Sequence, residues 1–246
     1  MSEAKALAGR RALVTGAARR LGREIALQLA AAGADVCITY QGSADEAAET
    51  VELLHAAGAR ALAVQCDVRE PAQVAAAVQS AVDALGGLEI LVNNAAVFLT
   101  AKLEEITAEA FDEAMRVNAR GPLLMAQAAY PHLKRAKGRI VNIGSLGGEV
   151  AWATHGHYNA SKAALHMLTQ AMAKAWAPEV AVNCVAPGVI VMDGRGVGGD
   201  FAEVAQRSPM GRAATAAEVA SAVLYFASAP AVVTGQVLKV DGGLGL

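Results

Sequence analysis

Tyr158, Lys162 and Ser145 are the residues of this sequence whose types and spacing best suit chemistry at an oxygen atom. Tyr158 and Lys162 stand four positions apart, so a helix would carry both side chains on one face, one turn apart. A free tyrosine has a pKa near ~10 and needs a neighbouring cation to donate or accept a proton at working pH. Lys162 would supply that charge, and Ser145, thirteen residues before Tyr158, would hold a substrate oxygen. Asn118 could bind a water that links the lysine to solvent.

A surface tyrosine and lysine at this spacing is the alternative interpretation, because such pairs are common by chance. The spacing of Ser145, and its place just past the fifth predicted strand, favour the catalytic interpretation.

A glycine-containing segment, Thr15–Gly22, joins the first predicted strand to the first predicted helix. Glycine lets the backbone approach a pyrophosphate, and a helix N-terminus offers free N–H groups and a positive dipole. A tight turn that happens to contain glycine is the alternative, which the flanking strand and helix disfavour. The segment predicts a dinucleotide site with contacts from Gly16, Arg19, Arg20, Leu21 and Gly22.

The second predicted strand indicates which dinucleotide binds. Asp35 lies at about the usual count for a ribose-binding acid, but it opens the strand, so we expect a solvated turn residue. The carboxyl end of the strand reads Tyr40-Gln41-Gly42-Ser43, without an acid. Arg19 and Arg20 suit a 2′-phosphate, because each charge-assisted bond contributes about 1.5–3 kcal/mol. The alternative is two exposed arginines at a helix start, where the dipole disfavours cations.

These residues predict NADP(H) as the cofactor. Tyr40 and Ser43 would lie beside its ribose. Asp67-Val68 ends the third predicted strand, where the carboxylate could accept a hydrogen bond from the adenine amino group.

Short β-branched runs alternate with alanine-rich helical patterns along the chain. The predicted strands are Ala12–Thr15, Val36–Tyr40, Ala61–Gln65, Ile90–Asn93, Arg139–Ile143, Ala181–Ala186 and Val237–Val240. The predicted helices are Leu21–Ala32, Asp45–Ala57, Ala72–Leu85, Ala108–Arg135, Tyr158–Trp176 and Ala216–Ala227. Capping boxes at Ser43–Glu46 and Thr215–Glu218, and Pro71 in a first turn, support three helix starts. Near-continuous apolar strands separated by helices predict one α/β domain with a doubly wound parallel sheet.

Composition limits the class of protein. Of 246 residues, 54% are hydrophobic and 18% are charged, so the chain can bury a full core and is not disordered. The 21 basic and 23 acidic residues give a net charge of −2, which disfavours nucleic acid or an anionic membrane as a partner. Val219–Leu238 lacks charges, but Pro230 and Gly235 predict a helix, a turn and a strand rather than a membrane span.

The three cysteines share no metal-binding spacing, and each lies in an apolar run. We expect reduced core thiols in a cytoplasmic protein at Cys37, Cys66 and Cys184.

Together the motifs resemble the short-chain dehydrogenase/reductase family, and they occur in the family's order over nearly the full chain. The matching residues are Thr15, Gly16, Gly22, Asp67, Asn93, Asn94, Ala95, Asn118, Ser145, Tyr158, Lys162, Pro187 and Gly188. The resemblance implies a Rossmann-type sheet of seven parallel strands in the order 3-2-1-4-5-6-7. It implies a catalytic set of Ser145, Tyr158, Lys162 and Asn118. It also implies cofactor contacts from Asn94, Ala95, Tyr158, Lys162, Pro187, Gly188 and Ile190.

Other residues relate the chain to particular branches of the family. Arg20 stands where the family has its middle loop glycine, and this feature and Phe98 resemble pteridine reductases. Ser145 instead resembles β-ketoacyl-acyl-carrier-protein reductases and general carbonyl reductases, because pteridine reductases often carry an acid there. Met192 stands where many members have a threonine that contacts the nicotinamide amide.

The resulting prediction is an NADPH-dependent reductase of a carbonyl compound that also runs in reverse as an alcohol dehydrogenase. Hydride from the nicotinamide would reach the carbonyl carbon while Tyr158 protonates the oxygen. The alternatives are a pterin or similar C=N ring as substrate, a 3-oxoacyl-acyl-carrier-protein substrate, or a catalytically idle NADP(H)-binding sensor.

A glycine-rich segment, residues 189–208, is predicted to be a mobile and mostly apolar lid over the substrate. It offers little basic surface for an acyl carrier protein, so we expect a small apolar or aromatic carbonyl substrate. Phe98, Trp152 and Met192 are the expected pocket residues. His155 and His157 are expected to be wall or solvent groups, and no metal site is predicted.

The C-terminal region predicts assembly. Residues 232–246 contain a strand and a glycine-rich tail with Leu244 and Leu246, two apolar residues that we expect to be exposed. This region would leave an unprotected sheet edge in a monomer. A homotetramer, built as a dimer of dimers whose C-terminal strands pair across an interface as in the family, would cover this edge.

Overall fold

Seven short strands form one parallel sheet at the centre of the molecule, as the sequence predicts. The computed structural model describes residues 5–191 and 200–246. From one edge to the other the strands are β3 (Ala61–Gln65), β2 (Asp35–Tyr40), β1 (Arg11–Val14), β4 (Ile90–Asn93), β5 (Arg139–Ile143), β6 (Ala181–Pro187) and β9 (Val237–Val240). All neighbouring pairs are parallel. Because the order reverses between β1 and β4, a crevice opens at the carboxyl ends of these strands.

Helices cover both faces of the sheet. In the described residues they are α1 (Arg20–Ala31), α2 (Ala44–Ala56), α3 (Pro71–Leu85), α4 (Ala108–Met115), α5 (Gly121–Ala136), α6 (Gly156–Trp176), α7 (Asp200–Gln206) and α8 (Ala216–Ser228). Side chains alternate along each strand, so Ala12 and Val14 of β1 enter one apolar layer and Leu13 enters the other. Ile25 of α1 and Phe226 of α8 close the first layer. Helices α3, α5 and α6 close the second.

The predicted helix Ala108–Arg135 is wrong as a single element. A π-helical turn, Arg116–Arg120, separates α4 from α5. Pro122 follows this turn and has no N–H to donate to a carbonyl one turn earlier, which disrupts the regular hydrogen-bond ladder. The interruption lies at Asn118, in a buried position.

Local signals at the helix starts have mixed outcomes. Thr215 and Glu218 form the predicted capping box at α8, and Pro71 stands in the first turn of α3. The capping box at Ser43 is wrong, because Ser43 precedes α2 without a hydrogen bond from its side chain to the helix. Asp35 is also not a solvated turn residue. It is the first residue of β2 and accepts hydrogen bonds from the backbone N–H and the Nε of Arg60.

The predicted lid lies partly outside the described residues, since residues 192–199, including Met192, are among those not described. Its beginning forms β7 (Ile190–Val191), which pairs with β8 (Ala214–Thr215), and α7 forms near its end. Val189, Ala205 and Ala213 form a small buried apolar cluster, and the partly buried Leu244 packs against this cluster. The expectation that Leu244 is exposed is therefore wrong, whereas Leu246 is fully exposed.

The charge-free stretch Val219–Leu238 divides into most of α8, a turn and the start of β9, as predicted. Among the described residues, no helix is both long enough and apolar enough to cross a lipid bilayer. All three cysteines are buried and unpaired, as expected.

Candidate active site

A cleft of about 810 Å³ lies at the carboxyl ends of the parallel strands, where open α/β sheets place their ligands. It contains all the residues predicted to contact the cofactor. They are Gly16, Arg19, Arg20, Leu21, Gly22, Tyr40, Ser43, Asp67, Val68, Asn94, Ala95, Tyr158, Lys162, Pro187, Gly188 and Ile190. Ser145, Phe98 and Trp152 line the same cleft.

The glycine turn after β1 is held in place by the loop after β4. Gly16 has φ +62°, and a Cβ added there would lie 2.9 Å from the Cα of Ala95. The Asn94 side-chain amide donates to the carbonyls of Thr15 at 2.9 Å and Gly16 at 3.0 Å. A Cβ on Gly22 would come within 2.6 Å of that same amide nitrogen. Both glycines are therefore required by close approach between the two loops, which fixes the start of α1.

Arg20 opens α1 with φ +54°, a backbone conformation that favours glycine. This is where the sequence departs from the glycine of the family pattern, and the main chain keeps the conformation that a glycine would adopt. The side chain of Arg19 lies 3.7 Å from Glu46 and is more than half exposed. Both arginines line the same cleft as Tyr40 and Ser43.

Asp67 is held by protein groups beside the carboxyl end of β2. It accepts hydrogen bonds from Arg69, as close as 2.6 Å, and from the Gln41 amide at 3.0 Å. These bonds, with that from Arg69 the strongest, lower the pKa of Asp67. Arg69 also pairs with Glu113 at 2.7 Å. The carboxylate is therefore ionised and oriented, and its predicted contact with adenine stays a prediction.

Tyr158 and Lys162 lie on one face of α6, as their spacing predicts. The Nζ of Lys162 donates to the carbonyl of Ile143 at 2.7 Å and lies 5.8 Å from the centroid of the Tyr158 ring. Burial lowers the pKa of Lys162 to about 8, because a charged ammonium is poorly solvated there. The lysine is thus poised to change charge near neutral pH.

Ser145 follows β5 and begins the turn Leu146–Gly148, where its Oγ accepts from the Gly147 N–H at 3.0 Å. Burial raises the pKa of Tyr158, and a hydrogen bond with the Ser145 side chain opposes this increase. The serine hydroxyl is therefore placed beside the tyrosine hydroxyl. An oxygen bound between them would receive a hydrogen bond from each.

Asn118 is fully buried and holds the wall of the cleft. Its side-chain amide accepts from the N–H of Val97 and donates to the carbonyl of Val97, both at 2.9 Å. It also donates to the Ser161 hydroxyl at 3.0 Å. In the structure Asn118 therefore positions the loop after β4 against α6, and the water predicted on it stays a prediction.

Aromatic rings pack together next to Tyr158. The Phe98 ring stacks on His155 with centroids 4.6 Å apart and meets Tyr158 edge-on at 4.8 Å. Trp152 meets His155 edge-on at 5.8 Å. His155 and His157 were expected to be wall or solvent groups, and both are buried, so neither is a solvent group. His155 packs behind Phe98, which lines the cleft, and hydrogen-bonds to the hydroxyls of Thr100 and Thr154.

Thr15 matches the family pattern without a predicted role in the site, and His166 is not among the predicted residues. Thr15 accepts the backbone N–H groups of Asn94 and Ala95 on its hydroxyl, at 2.9 and 3.0 Å. His166 accepts the backbone N–H of Ser145 on its Nε2 at 3.4 Å. The position of His166 four residues after Lys162 was an available signal, since the spacing places it on the same face of α6.

Comparisons with known proteins agree with this geometry. The family model described as enoyl-(acyl carrier protein) reductase matches residues 16–245. An uncharacterized oxidoreductase of Methylorubrum extorquens is 38% identical over 245 residues, covering 97% of this chain and 98% of its own. The chain belongs to the short-chain dehydrogenase/reductase family.

Other members of this family are similar over the same length. The 3-oxoacyl-[acyl-carrier-protein] reductase of Staphylococcus aureus is 35% identical, covering 95% of this chain and 97% of its own. A short-chain dehydrogenase of Burkholderia cenocepacia, solved in complex with NADP, is 40% identical with a TM-score of 0.91 and covers 98% of this chain and 99% of its own. As a short-chain dehydrogenase/reductase, the chain is an oxidoreductase with a Rossmann-like fold.

Proposed function

We propose that this short-chain dehydrogenase/reductase is an NADPH-dependent carbonyl reductase that also oxidises the corresponding alcohol. The observation that carries the proposal is that the side chains of Ser145 and Tyr158 line the same cleft, with buried Lys162 beside them, where the glycine turn also lies. A proton donor, a hydroxyl to orient an oxygen and a cation thus share one wall. This arrangement suits proton transfer to a carbonyl oxygen.

The chain's own residues would divide the work as follows. Ser145 donates a hydrogen bond that orients the substrate oxygen, and Tyr158 donates the proton that this oxygen takes up. Lys162 lowers the free energy of the resulting tyrosinate through its positive charge. Asn118 hydrogen-bonds to Val97 and Ser161 and so holds the loop after β4 against α6. When bound, the nicotinamide supplies the hydride for the carbonyl carbon.

The residues of the cleft fit NADP(H) rather than NAD(H). The carboxyl end of β2 presents Tyr40 and Gln41 in place of an acid, so this strand end itself contributes no carboxylate that would repel a 2′-phosphate. Arg19 and Arg20 line the same cleft and would bind that phosphate. The close approach of Gly16 and Gly22 to the β4 loop leaves the backbone N–H groups at the start of α1 to bind the pyrophosphate.

The substrate proposed for this site is a small apolar or aromatic carbonyl compound. Phe98 is about half exposed (49%) although its ring touches Tyr158 and His155, so an apolar surface is presented next to the proton donor. A flat substrate would cover this ring and stack on it. Trp152 extends the same wall.

A 3-oxoacyl-acyl-carrier-protein substrate is the second candidate, because the Staphylococcus aureus relative bears that name and is 35% identical. A pterin is the third candidate, on the basis of Arg20 and Phe98. A non-catalytic NADP(H) sensor is the candidate from another class. The presence of Ser145, Tyr158 and Lys162 together argues against it, because a sensor has no chemical need of all three.

The test is a comparison of kcat/KM for three substrate classes with purified protein and NADPH. We expect small aryl ketones or diketones to be reduced faster than an acetoacetyl thioester and faster than dihydrobiopterin. A tenfold or greater preference for the thioester or the pterin contradicts the small-carbonyl proposal. A protein that binds NADPH but oxidises it with none of the three classes would be assigned as a sensor.

We also propose that the protein is a homotetramer. Strand β9 forms one edge of the sheet, and its described backbone pairs with β6 alone. Leu238 in this strand is 40% exposed and Val232 is 86% exposed. An exposed apolar sheet edge promotes uncontrolled association, and closed pairing with a second copy would cover it.

A further inference from the structure

His166 lies directly behind the turn that carries Ser145. A Cβ added to Gly144 would come within 2.3 Å of its Nε2, and a Cβ added to Gly148 would come within 2.7 Å of its Cε1. The ring therefore occupies space that two glycines leave open, one at each end of the Ser145 turn. Only 7% of His166 is exposed.

The hydrogen bond to Ser145 determines which form of the imidazole is present. The backbone N–H of Ser145 donates to Nε2 of His166 at 3.4 Å, so Nε2 must carry a lone pair. The proton of the neutral ring is then on Nδ1, which lies 3.8 Å from the Glu149 carboxylate. The geometry thus selects the neutral Nδ1-protonated tautomer.

Charged and titratable groups face His166 from several elements. Lys162 lies one turn earlier on α6, and Glu149 follows the Ser145 turn. Lys239 of β9 lies 3.5 Å from the other Glu149 oxygen. Cys184 of β6 approaches the same glycine, Gly144, with its Sγ 2.6 Å from a Cβ placed there.

These groups have opposing effects on the imidazole. Burial lowers the pKa of His166 most, the Glu149 charge raises it and the Lys162 charge lowers it further. The Cys184 thiol stays neutral because burial raises its pKa to about 12.

We propose that neutral His166 is a positioning residue that holds the Ser145 backbone for catalysis, and that its protonation releases this hold. This inference rests on the proposed function, because it assigns Ser145 a role in orienting the substrate oxygen. Protonation of Nε2 removes the acceptor for the Ser145 N–H and leaves that buried donor unpaired. It also adds a positive charge close to Lys162. Both effects disfavour the arrangement of Ser145, Tyr158 and Lys162.

Glutamine and asparagine substitutions separate positioning from simple packing. The terminal amide of glutamine reaches about as far as Nε2, so His166→Gln can present an oxygen to the Ser145 N–H without titrating. The shorter His166→Asn places its amide near the Nδ1 position and leaves that N–H unpaired. We expect the Gln variant to keep kcat within about threefold of the parent and the Asn variant to lose about tenfold or more, since an unpaired buried donor is costly.

The pH profile provides a readout that packing alone would not change. We expect kcat of the parent to fall on the acid side as His166 takes up a proton, and the Gln variant to lack this component. His55→Gln, a substitution on α2 far from the site, is the matched control. Its kcat should fall at acid pH as that of the parent does. The proposal is overturned if the Gln and Asn variants have equal kcat values. It is also overturned if kcat of His166→Gln falls at acid pH as it does in the parent.

Hydrogen–deuterium exchange supplies a test that needs no turnover. Peptides containing Ser145–Gly148 should exchange faster in His166→Asn than in the parent or in His166→Gln at neutral pH. Equal exchange in all three proteins overturns the proposal even if a variant loses activity. If no carbonyl compound is reduced, the exchange rates still test whether His166 holds the Ser145 turn. Failure of the proposed function and failure of this inference therefore give different results.

Discussion

The ammonium group of Lys162 donates to the backbone carbonyl of Ile143, 2.7 Å away at the carboxyl end of β5. This hydrogen bond directs the lysine from α6 toward the sheet and holds its charge beneath the Tyr158 ring. The next two residues after Ile143 lead to Ser145, so one strand end places both the lysine and the serine. The site is therefore anchored to the rigid sheet rather than to a surface loop.

Lys162 is also expected to reduce the stability of the fold at neutral pH. Its pKa is lowered to about 8 by burial, whereas the unfolded chain keeps a value near ~10.4. Between these values the unfolded state binds more protons, so stability rises with pH across this window and the cost is fully present below it. We expect Lys162→Met to be more stable at pH 7 by about 3 kcal/mol, with a difference that shrinks toward pH 10.

Urea unfolding of the protein without nucleotide, from pH 7 to pH 10, measures this difference. Lys174→Met, on the last turn of the same helix, is the matched control. Its stability relative to the parent should not change comparably between pH 7 and pH 10. A parent that is as stable as Lys162→Met at pH 7 would show that the ammonium carries no burial cost. Lys162→Met is expected to be inactive, because the tyrosinate loses its cation.

Tyr158→Phe should abolish turnover while the fold and NADPH affinity are kept. The phenyl ring still packs against Phe98, but the proton donor is gone, and general acid catalysis contributes about 10²–10⁴-fold. Steady-state reduction of the best aryl ketone and fluorescence titration with NADPH measure the two properties. Tyr130→Phe, on α5, is the control and should keep full activity. More than a few per cent of parental activity in Tyr158→Phe is incompatible with the proposed mechanism.

Arg19 and Arg20 are expected to determine the preference for NADPH over NADH. Replacing both by alanine removes the proposed phosphate ligands, so KM for NADPH should rise by about ten- to hundredfold with little change for NADH. Arg135→Ala, on the last turn of α5, should leave both KM values unchanged. If the parent enzyme uses NADH and NADPH equally well, the inference from the acid-free end of β2 is wrong.

Assembly is tested by light scattering at micromolar concentration, where we expect the mass of a tetramer. Leu238→Lys places a charge on the exposed side of β9 and should give a smaller species, because the proposed pairing would bury that charge. Leu53→Lys, at an equally exposed leucine on α2, is the control and should remain tetrameric. A parent protein that is monomeric under these conditions excludes the proposed assembly.

Much of the site follows from the sequence because its signals are local. The spacing of Tyr158 and Lys162 fixes their common face on any helix, and the glycine turn lies between a strand and a helix that their own residues specify. Strand ends in a parallel sheet meet at one edge, so Ser145, Asn94 and Pro187 converge once the strands are located. The predicted strand bounds are accordingly close to the observed ones, and four match in full: Ala61–Gln65, Ile90–Asn93, Arg139–Ile143 and Val237–Val240.

The tertiary structure alone decided which side chains support these groups. Asn118 bonds to Val97 and Ser161, which lie 21 and 43 residues away along the chain, and His166 reaches Ser145 across 21 residues. Such partners depend on how α5 and α6 pack on the sheet, and no local spacing encodes that packing. Asp35 similarly looks like a ribose ligand or a turn residue until β3 brings Arg60 beside it. The reacting groups were therefore predictable from short-range periodicity, whereas their supports arise from contacts between distant segments that form only when the chain folds.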